Sequence, residues 1–296
     1  MIEVRDLSLC YANPGNVPEI LDHSDDYDSS NLVLRNLRLN IMPGKVYGLI
    51  GRNGAGKTSL LNCITGLIWK PSAKKVFIDD RELSIGNPHI MSRIFYVTDT
   101  TPDLHIRVDK HAKTLAIYYP DFSMERFNDC VEMFNLDYRE HIDNLSLGQR
   151  KMAMLSFAFA SNAPYLILDE PTNGLDITSR KAFRKLLAQS MSPDRAIIIS
   201  THHINEVSTL LDHILILDNK RIVFDHSAIE TGSTLKFIES DDRDLLQDAI
   251  YSMSSAYGNR MILQNESGSD SEIDYELLFE AVLENGAAIN KLFSYN

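Results

Sequence analysis

The sequence predicts an α/β fold built around a mainly parallel sheet, and three observations carry that expectation. Apolar strands recur at Val46 to Ile50, Tyr165 to Leu168, Ala196 to Ser200 and Ile214 to Leu217, with stretches of helical periodicity between them. Such alternation lays crossover helices on a parallel sheet. The first of these strands runs into Gly51-Arg52-Asn53-Gly54-Ala55-Gly56-Lys57-Thr58, a full GxxxxGK[ST] pattern at a strand-to-helix turn. The second stops at two adjacent acids, Asp169 and Glu170, at the carboxyl edge where open α/β sheets bind ligands.

A chain of 296 residues can bury a large domain and still carry an accessory segment. With 44% hydrophobic and 24% charged residues it is not a disordered chain. The formal charge of -12, without any strong Lys/Arg run, argues against nucleic acid or anionic lipid as the main partner. Cys10, Cys63 and Cys130 are odd in number and lack metal-ligand spacing, so neither a disulfide framework nor a zinc site is expected and the cytoplasm is the natural compartment. The opening MIEVRDLSL lacks the apolar core of a secretory signal. Met152 to Leu168 is the most apolar stretch, but Ser156, Ser161, Asn162 and Pro164 interrupt it. It predicts a buried helix, a turn and a buried strand, so membrane contact has to come through a partner.

Along the chain, a strand is expected near Ile2 to Leu9, then a surface loop over Ala12 to Asn31, rich in Pro, Gly, Asn, Ser and Asp. Its acidic run HSDDYDSS lacks the alternate oxygen ligands, glycine turn and terminal Glu of a calcium loop. Leu32 to Ile41 alternates as a strand, and Met42-Pro43-Gly44 turns the chain into the next one. From Asp99 to Asn144 the period becomes helical, as in Phe127, Val131, Phe134 and Leu136, which predicts a helical subdomain over about residues 100–160. Beyond about Ile229 come short strand candidates at Thr234 to Ile238 and Arg260 to Leu263, the polar bridge QNESGSDSE and an apolar helix, Tyr275 to Leu283. A core over 1–228 and a small α/β appendage over 229–296 are therefore expected.

The glycines of the 51–58 loop let backbone N–H groups turn inward toward phosphate oxygens, reinforced by the positive end of the following helix. Gly51, Asn53, Gly54, Ala55, Gly56, Lys57, Thr58 and Ser59 are thus candidate nucleotide-binding residues. Lys57 is expected to neutralise the β- and γ-phosphates and Thr58 to ligate Mg²⁺. Asp169 is a second candidate for Mg²⁺, and Glu170 for the base that activates water. An apolar strand ending in two acids is by itself usually just a strand meeting solvent; the upstream loop is what gives these two a role.

Leu145-Ser146-Leu147-Gly148-Gln149 resembles the LSGGQ signature of the ABC-transporter ATPases, with Leu147 as a departure. The resemblance runs in family order from Met1 to about Phe224. It implies a P-loop ABC cassette: a parallel-sheet core, an antiparallel β element and a helical subdomain. Further expectations follow from the same resemblance. Ser146, Gly148 and Gln149 contact ATP bound to a second ATPase subunit, a copy or a homologue, closing head to tail around two ATP. Tyr11 stacks on adenine, although a lone Tyr after a strand is as often a packing residue. Asp176, in Asn173-Gly174-Leu175-Asp176, pairs across the dimer, and His202 is the switch histidine. The family usually places Gln where Asp99 follows the strand Ile94 to Thr98, so Asp99 is a candidate Mg²⁺ ligand that alters the charge beside the triphosphate.

Tyr118-Tyr119-Pro120-Asp121-Phe122, Phe127, Phe134 and the tail Asp274 to Phe279 look most like bacterial ABC-2-type exporter ATPases related to phenol-soluble modulin and antimicrobial peptide exporters. That resemblance implies an integral-membrane permease as partner and a place on the cytoplasmic face of the cell membrane. Two alternatives stay open on sequence: a soluble, non-transport ABC ATPase, and a weakly catalytic nucleotide sensor, the latter because of Asp99.

Overall fold

The computed structural model describes residues 1–11, 18–21, 31–70, 75–102, 104–256, 258–268 and 270–293. The chain opens with β1 (Ile2–Tyr11), β2 (Pro18–Leu21) and β3 (Leu32–Ile41); β4 (Val46–Ile50) then feeds α1 (Lys57–Thr65). A hairpin, β5 (Val76–Ile78) and β6 (Arg81–Glu82), turns through Asp79 and Asp80, both at positive φ, the backbone of a type I′ turn. Then come α2 (Pro88–Met91), β7 (Ile94–Val97), α3 (Val108–Tyr118), α4 (Met124–Met133) and α5 (Leu147–Ala160). β8 (Tyr165–Asp169), α6 (Ile177–Gln189), β9 (Ala196–Thr201), β10 (His213–Asp218) and β11 (Arg221–Ser227) complete the first part. The remainder is α7 (Ala228–Thr234), β12 (Leu235–Ser240), α8 (Arg243–Asp248), β13 (Tyr251–Ser255), β14 (Gly258–Gln264) and α9 (Tyr275–Phe293).

The central sheet has six strands in the order β11-β10-β4-β9-β8-β7, parallel except for β11. Strands β4, β8 and β9 are buried at every residue, which requires both faces of the sheet to be covered. The period of two then sends alternate residues to two different cores. Val46, Leu166, Leu168, Ile197, Ile199, Ile214 and Ile216 face the helices α3 to α6 and α9. Tyr47, Leu49, Ile167, Ile198, Leu215 and Leu217 face α1 and the antiparallel sheet of β1, β2, β3, β5 and β6. In the helical region Phe127 stacks on Phe157 with centroids 5.6 Å apart and planes at 8°.

The expected loop over Ala12 to Asn31 lies mostly outside the described residues, and so does its acidic run. Where it is described, it is corrected: Pro18–Leu21 is a strand paired antiparallel with the end of β1. Its four residues are too few to show an alternation, and their pairing partner, not their own pattern, makes them extended. The three-residue β5 was not predicted for the same reason, and the seven-residue antiparallel edge strand β11 was not predicted either. After β11, a separate antiparallel sheet β12-β14-β13 forms, and β13 too was not predicted.

The C-terminal helix runs to Phe293, beyond the expected Leu283, and its helical geometry breaks once, at Asn285 with φ −136° and ψ 34°. Asn285 Nδ2 donates to Ile250 O at 3.2 Å, which ties the kink to the residue just before β13. Helix α9 lies against β11, β13, β14 and the 3₁₀ turn Ile204–Glu206. It places Leu277, Leu278, Ala281 and Ile289 in the same apolar cluster as the helical face of the central sheet.

Candidate nucleotide site

Strand β4 delivers the 51–56 loop, and the loop closes with Gly54 at φ 80° and Gly56 at φ 104°. Those angles are left-handed, and a side chain there would be strained. Gly56 is also the N-cap of α1 and supplies no side chain to it, so the first N–H groups of that helix point at the loop without a side-chain acceptor. Lys57, 7% exposed, curls back over the loop: Nζ donates to Gly51 O at 2.7 Å and to Arg52 O at 3.3 Å. Burial lowers its pKa, while the charges of Glu170 and Asp169 work against that shift. The ammonium is thus held by two carbonyls beside two carboxylates.

Three elements converge on Asp169 at the end of β8. Thr58 Oγ1, in α1, donates to Oδ2 at 2.7 Å; Tyr96 OH, in β7, lies 3.4 Å from the same oxygen. Ser200 Oγ, in β9, donates to Oδ1. Next in the chain, Glu170 takes a positive φ of 46°, a conformation that a non-glycine residue adopts at a cost and that concentrates at functional sites. Its N–H is fixed by Ser200 O at 3.0 Å and Ser200 Oγ at 3.2 Å. The carboxylate is thereby turned toward His202, whose Nδ1 lies 2.8 Å from Oε1. Among the described residues the second oxygen, Oε2, is buried without a hydrogen-bond partner. One acceptor oxygen is therefore oriented by the protein, and the other is an acceptor that the fold itself does not use.

A cleft of about 500 Å³ opens over these groups, lined by Tyr11, Asn53, Gly54, Gly56, Lys57, Thr58, Ser59, Asp99, Asp169, Glu170 and His202. These are eleven of the residues expected from sequence. Tyr11 OH and Ser59 Oγ are 3.2 Å apart, which ties the ring to the first turn of α1. Gly51 and Ala55 do not line the cleft; Gly51 acts through its carbonyl on Lys57, and an added Cβ there would sit 2.6 Å from Leu217 O. Val33, Arg52 and Asn173 line it as well, and were not singled out from sequence.

Ser146, Gly148, Gln149 and Asp176 lie outside this cleft. Ser146 caps α5, accepting from Gln149 N at 3.3 Å while Gln149 Oε1 accepts from Ser146 N at 3.0 Å. This is a reciprocal capping box, so Gln149 has a structural partner inside its own chain. Asp176 likewise caps α6, accepting from Ser179 N at 2.7 Å; that bond holds its carboxyl below the usual range. Gly148 packs so closely that an added Cβ would lie 2.9 Å from Gly174 O.

Asp99 reaches the cleft with one of its two carboxylate oxygens engaged by the protein. Its Oδ1 accepts from Asn173 Nδ2 at 3.3 Å and lies 3.7 Å from Lys151 Nζ. Lys151 also donates to the carbonyls of Thr98 at 3.1 Å and Asp99 at 3.0 Å. Sequence reasoning passed over Lys151; its only signal was a lysine abutting the apolar run that begins at Met152. Thr58, Asp99 and Asp169 all bring oxygen atoms to the cleft, with Thr58 and Asp169 in direct contact. An all-oxygen set suits a hard cation such as Mg²⁺.

A sequence profile described as "ABC transporter" matches residues 34–173. The chain is 30% identical over 217 residues to the ABC transporter ATP-binding protein AlbC of Bacillus subtilis (strain 168), covering 70% of this chain and 90% of that protein. It is 30% identical over 193 residues to the lantibiotic transport ATP-binding protein SrtF of Streptococcus pyogenes, covering 65% of this chain and 83% of SrtF. Among solved structures, the dimeric ATP-binding cassette MJ0796 bound to ADP and Pi has the same fold, with a TM-score of 0.61 at 22% identity, over 77% of this chain and 98% of that one. Among the described residues no helix is long and apolar enough to cross a membrane.

Proposed function

The chain belongs to the ABC transporter ATP-binding family, whose members bind and hydrolyse ATP, and from that premise we propose that it drives export through a separate integral-membrane permease. Residues 1–228 form the cassette in this reading, and 229–296 an accessory part. The observation that carries its hydrolytic part is Glu170, bonded to His202 on one oxygen and open on the other, beside the phosphate loop, and the likeness to SrtF supports its transport part.

ATP lies with its phosphates over the 51–58 loop and its adenine against Tyr11. Lys57 neutralises charge on the β- and γ-phosphates. Thr58 and Asp169 would hold Mg²⁺, which when bound offsets further phosphate charge. Glu170 takes a proton from water on Oε2, and the water oxygen attacks the γ-phosphorus. The bond from γ-phosphorus to the bridging oxygen breaks, and ADP and phosphate leave. His202, anchored to Glu170, donates toward the γ-phosphate.

Ser146 and Gly148 lie outside the chain's own cleft, so they serve ATP held by a second subunit. This supports a head-to-tail dimer, a copy or a homologue, closing around two ATP. Ile117 and Tyr118, 78% and 66% exposed at the end of α3, offer an apolar surface to a membrane partner at the cytoplasmic face. SrtF, whose name assigns it to lantibiotic transport, supports a peptide as cargo.

A tagged chain recovered from detergent-solubilised native membranes with ATP and Mg²⁺, then examined by mass spectrometry and an ATPase assay, tests this. A multi-spanning partner, with hydrolysis lost in Lys57→Ala, is expected. A soluble partner alone would overturn the export reading.

A further inference from the structure

We propose that Lys151 is a positioning residue for ATP turnover: it clamps the Asp99 loop to helix α5 and balances the Asp99 carboxylate. This rests on the ATPase reading of the cleft.

A lysine that is 2% exposed is rare unless paired. Lys151 stands five residues after the N-cap Ser146 on α5, and among the described residues its ammonium donates to the carbonyls of residues 98 and 99 and lies beside the Asp99 carboxylate. Two contacts are to backbone carbonyls and fix the path of the loop. The third, 3.7 Å from Asp99 Oδ1, is electrostatic and neutralises a charge that faces the triphosphate cleft. Asp99 in turn holds Asn173 at 3.3 Å. The neighbouring Gly174 O is the atom closest to a Cβ built on Gly148, at 2.9 Å.

Asp99 therefore touches the cleft, α5 and the 173–174 loop at once. A neutral Gln at position 99 would need no counter-charge; a carboxylate beside a triphosphate does. The buried ammonium supplies it from the helix that carries Ser146 and Gly148. Backbone clamping and charge balance are separable, because only the second depends on the side chain at position 99.

That separation defines the test. ATP affinity, by a fluorescent ATP analogue with Mg²⁺, and saturated turnover are measured on the full chain for wild type, Lys151→Met, and Lys151→Met combined with Asp99→Gln. Thermal melting accompanies each. Lys151→Met keeps the alkyl stem and should weaken ATP binding by about tenfold, within the range for coupled neighbouring groups, and lower turnover as well. Adding Asp99→Gln should restore affinity to within about threefold of wild type while turnover stays low, because the backbone clamp is still missing.

A double variant that binds ATP no better than Lys151→Met overturns the proposal. So does a Lys151→Met protein with wild-type affinity and turnover. If Lys151→Met does not fold, Lys151→Gln with Asp99→Gln against Lys151→Gln alone reads the same affinity rescue. Wild-type protein that binds no ATP analogue would overturn the reading of the cleft itself, and is distinguished by that control.

Discussion

Glu170→Gln should abolish nearly all steady-state hydrolysis while leaving ATP binding intact. The substitution is close to isosteric, and the structure states what it removes. Oε1 faces His202 Nδ1 at 2.8 Å, an interaction the amide oxygen of Gln can still accept. Oε2 has no hydrogen-bond partner among the described residues, so the new NH₂ group breaks no bond seen in the fold. The N–H that sets the side chain's direction is held by Ser200 and does not depend on the carboxylate. The loss is thus the basicity alone, about 10²–10⁴-fold in turnover for a positioned general base, or about 3–5 kcal/mol of barrier. Phosphate release under saturating ATP and Mg²⁺ measures it. Nucleotide-bound dimer by size-exclusion chromatography measures the trapped state, which binding without hydrolysis should enrich. Turnover above about a tenth of wild type would fall outside the general-base range and refute the assignment of Glu170 as base.

Gly148→Ala should lower both the melting temperature and turnover, since its methyl carbon would lie 2.9 Å from the Gly174 carbonyl; overpacking of that kind costs about 1–3 kcal/mol. A melting temperature raised by the better helix propensity of Ala would count against it. Asp79 is partly buried, which on its own raises its carboxyl pKa, but bonds from the N-terminal ammonium at 2.8 Å and Tyr165 OH at 2.5 Å, with Arg93 nearby, hold it below the usual range. That stabilisation is complete above the unfolded carboxylate pKa and is lost as pH falls through the lower folded value. Asp79→Asn should therefore melt about 2–4 °C below wild type at neutral pH, with the gap closing below about pH 4; a gap independent of pH would contradict this. Cys10, Cys63 and Cys130 are buried and unpaired, with burial pushing the thiols of Cys63 and Cys130 up to about 12. Native protein should resist iodoacetamide at neutral pH and take three adducts only when unfolded, as counted by mass spectrometry.

The chemistry-bearing groups were legible because each sits in a contiguous motif whose residues do local work. Gly54 and Gly56 need positive φ where they stand, and Lys57 and Thr58 follow at once. Asp169 and Glu170 end an apolar strand, and the parallel sheet brings that end to the loop. Among the strands that were missed, Pro18–Leu21 and Tyr251–Ser255 are short and owe their extension to partners elsewhere in the chain.

Tertiary structure alone decided the rest. Lys151 meets Asp99 across 52 residues of sequence, a juxtaposition no local pattern encodes. Gln149 and Asp176 turned out to cap helices of their own chain. Helix α9 reaches back to the Ile204–Glu206 turn just past His202, where Arg52 also pairs with Glu280 at 3.8 Å. By itself the sequence determined where the glycine-rich turn and its helix lie, because that turn is a local backbone shape followed by a helix. How that turn is wired to the signature helix and to the C-terminal part depended on side chains brought together only when the sheet's two faces were packed.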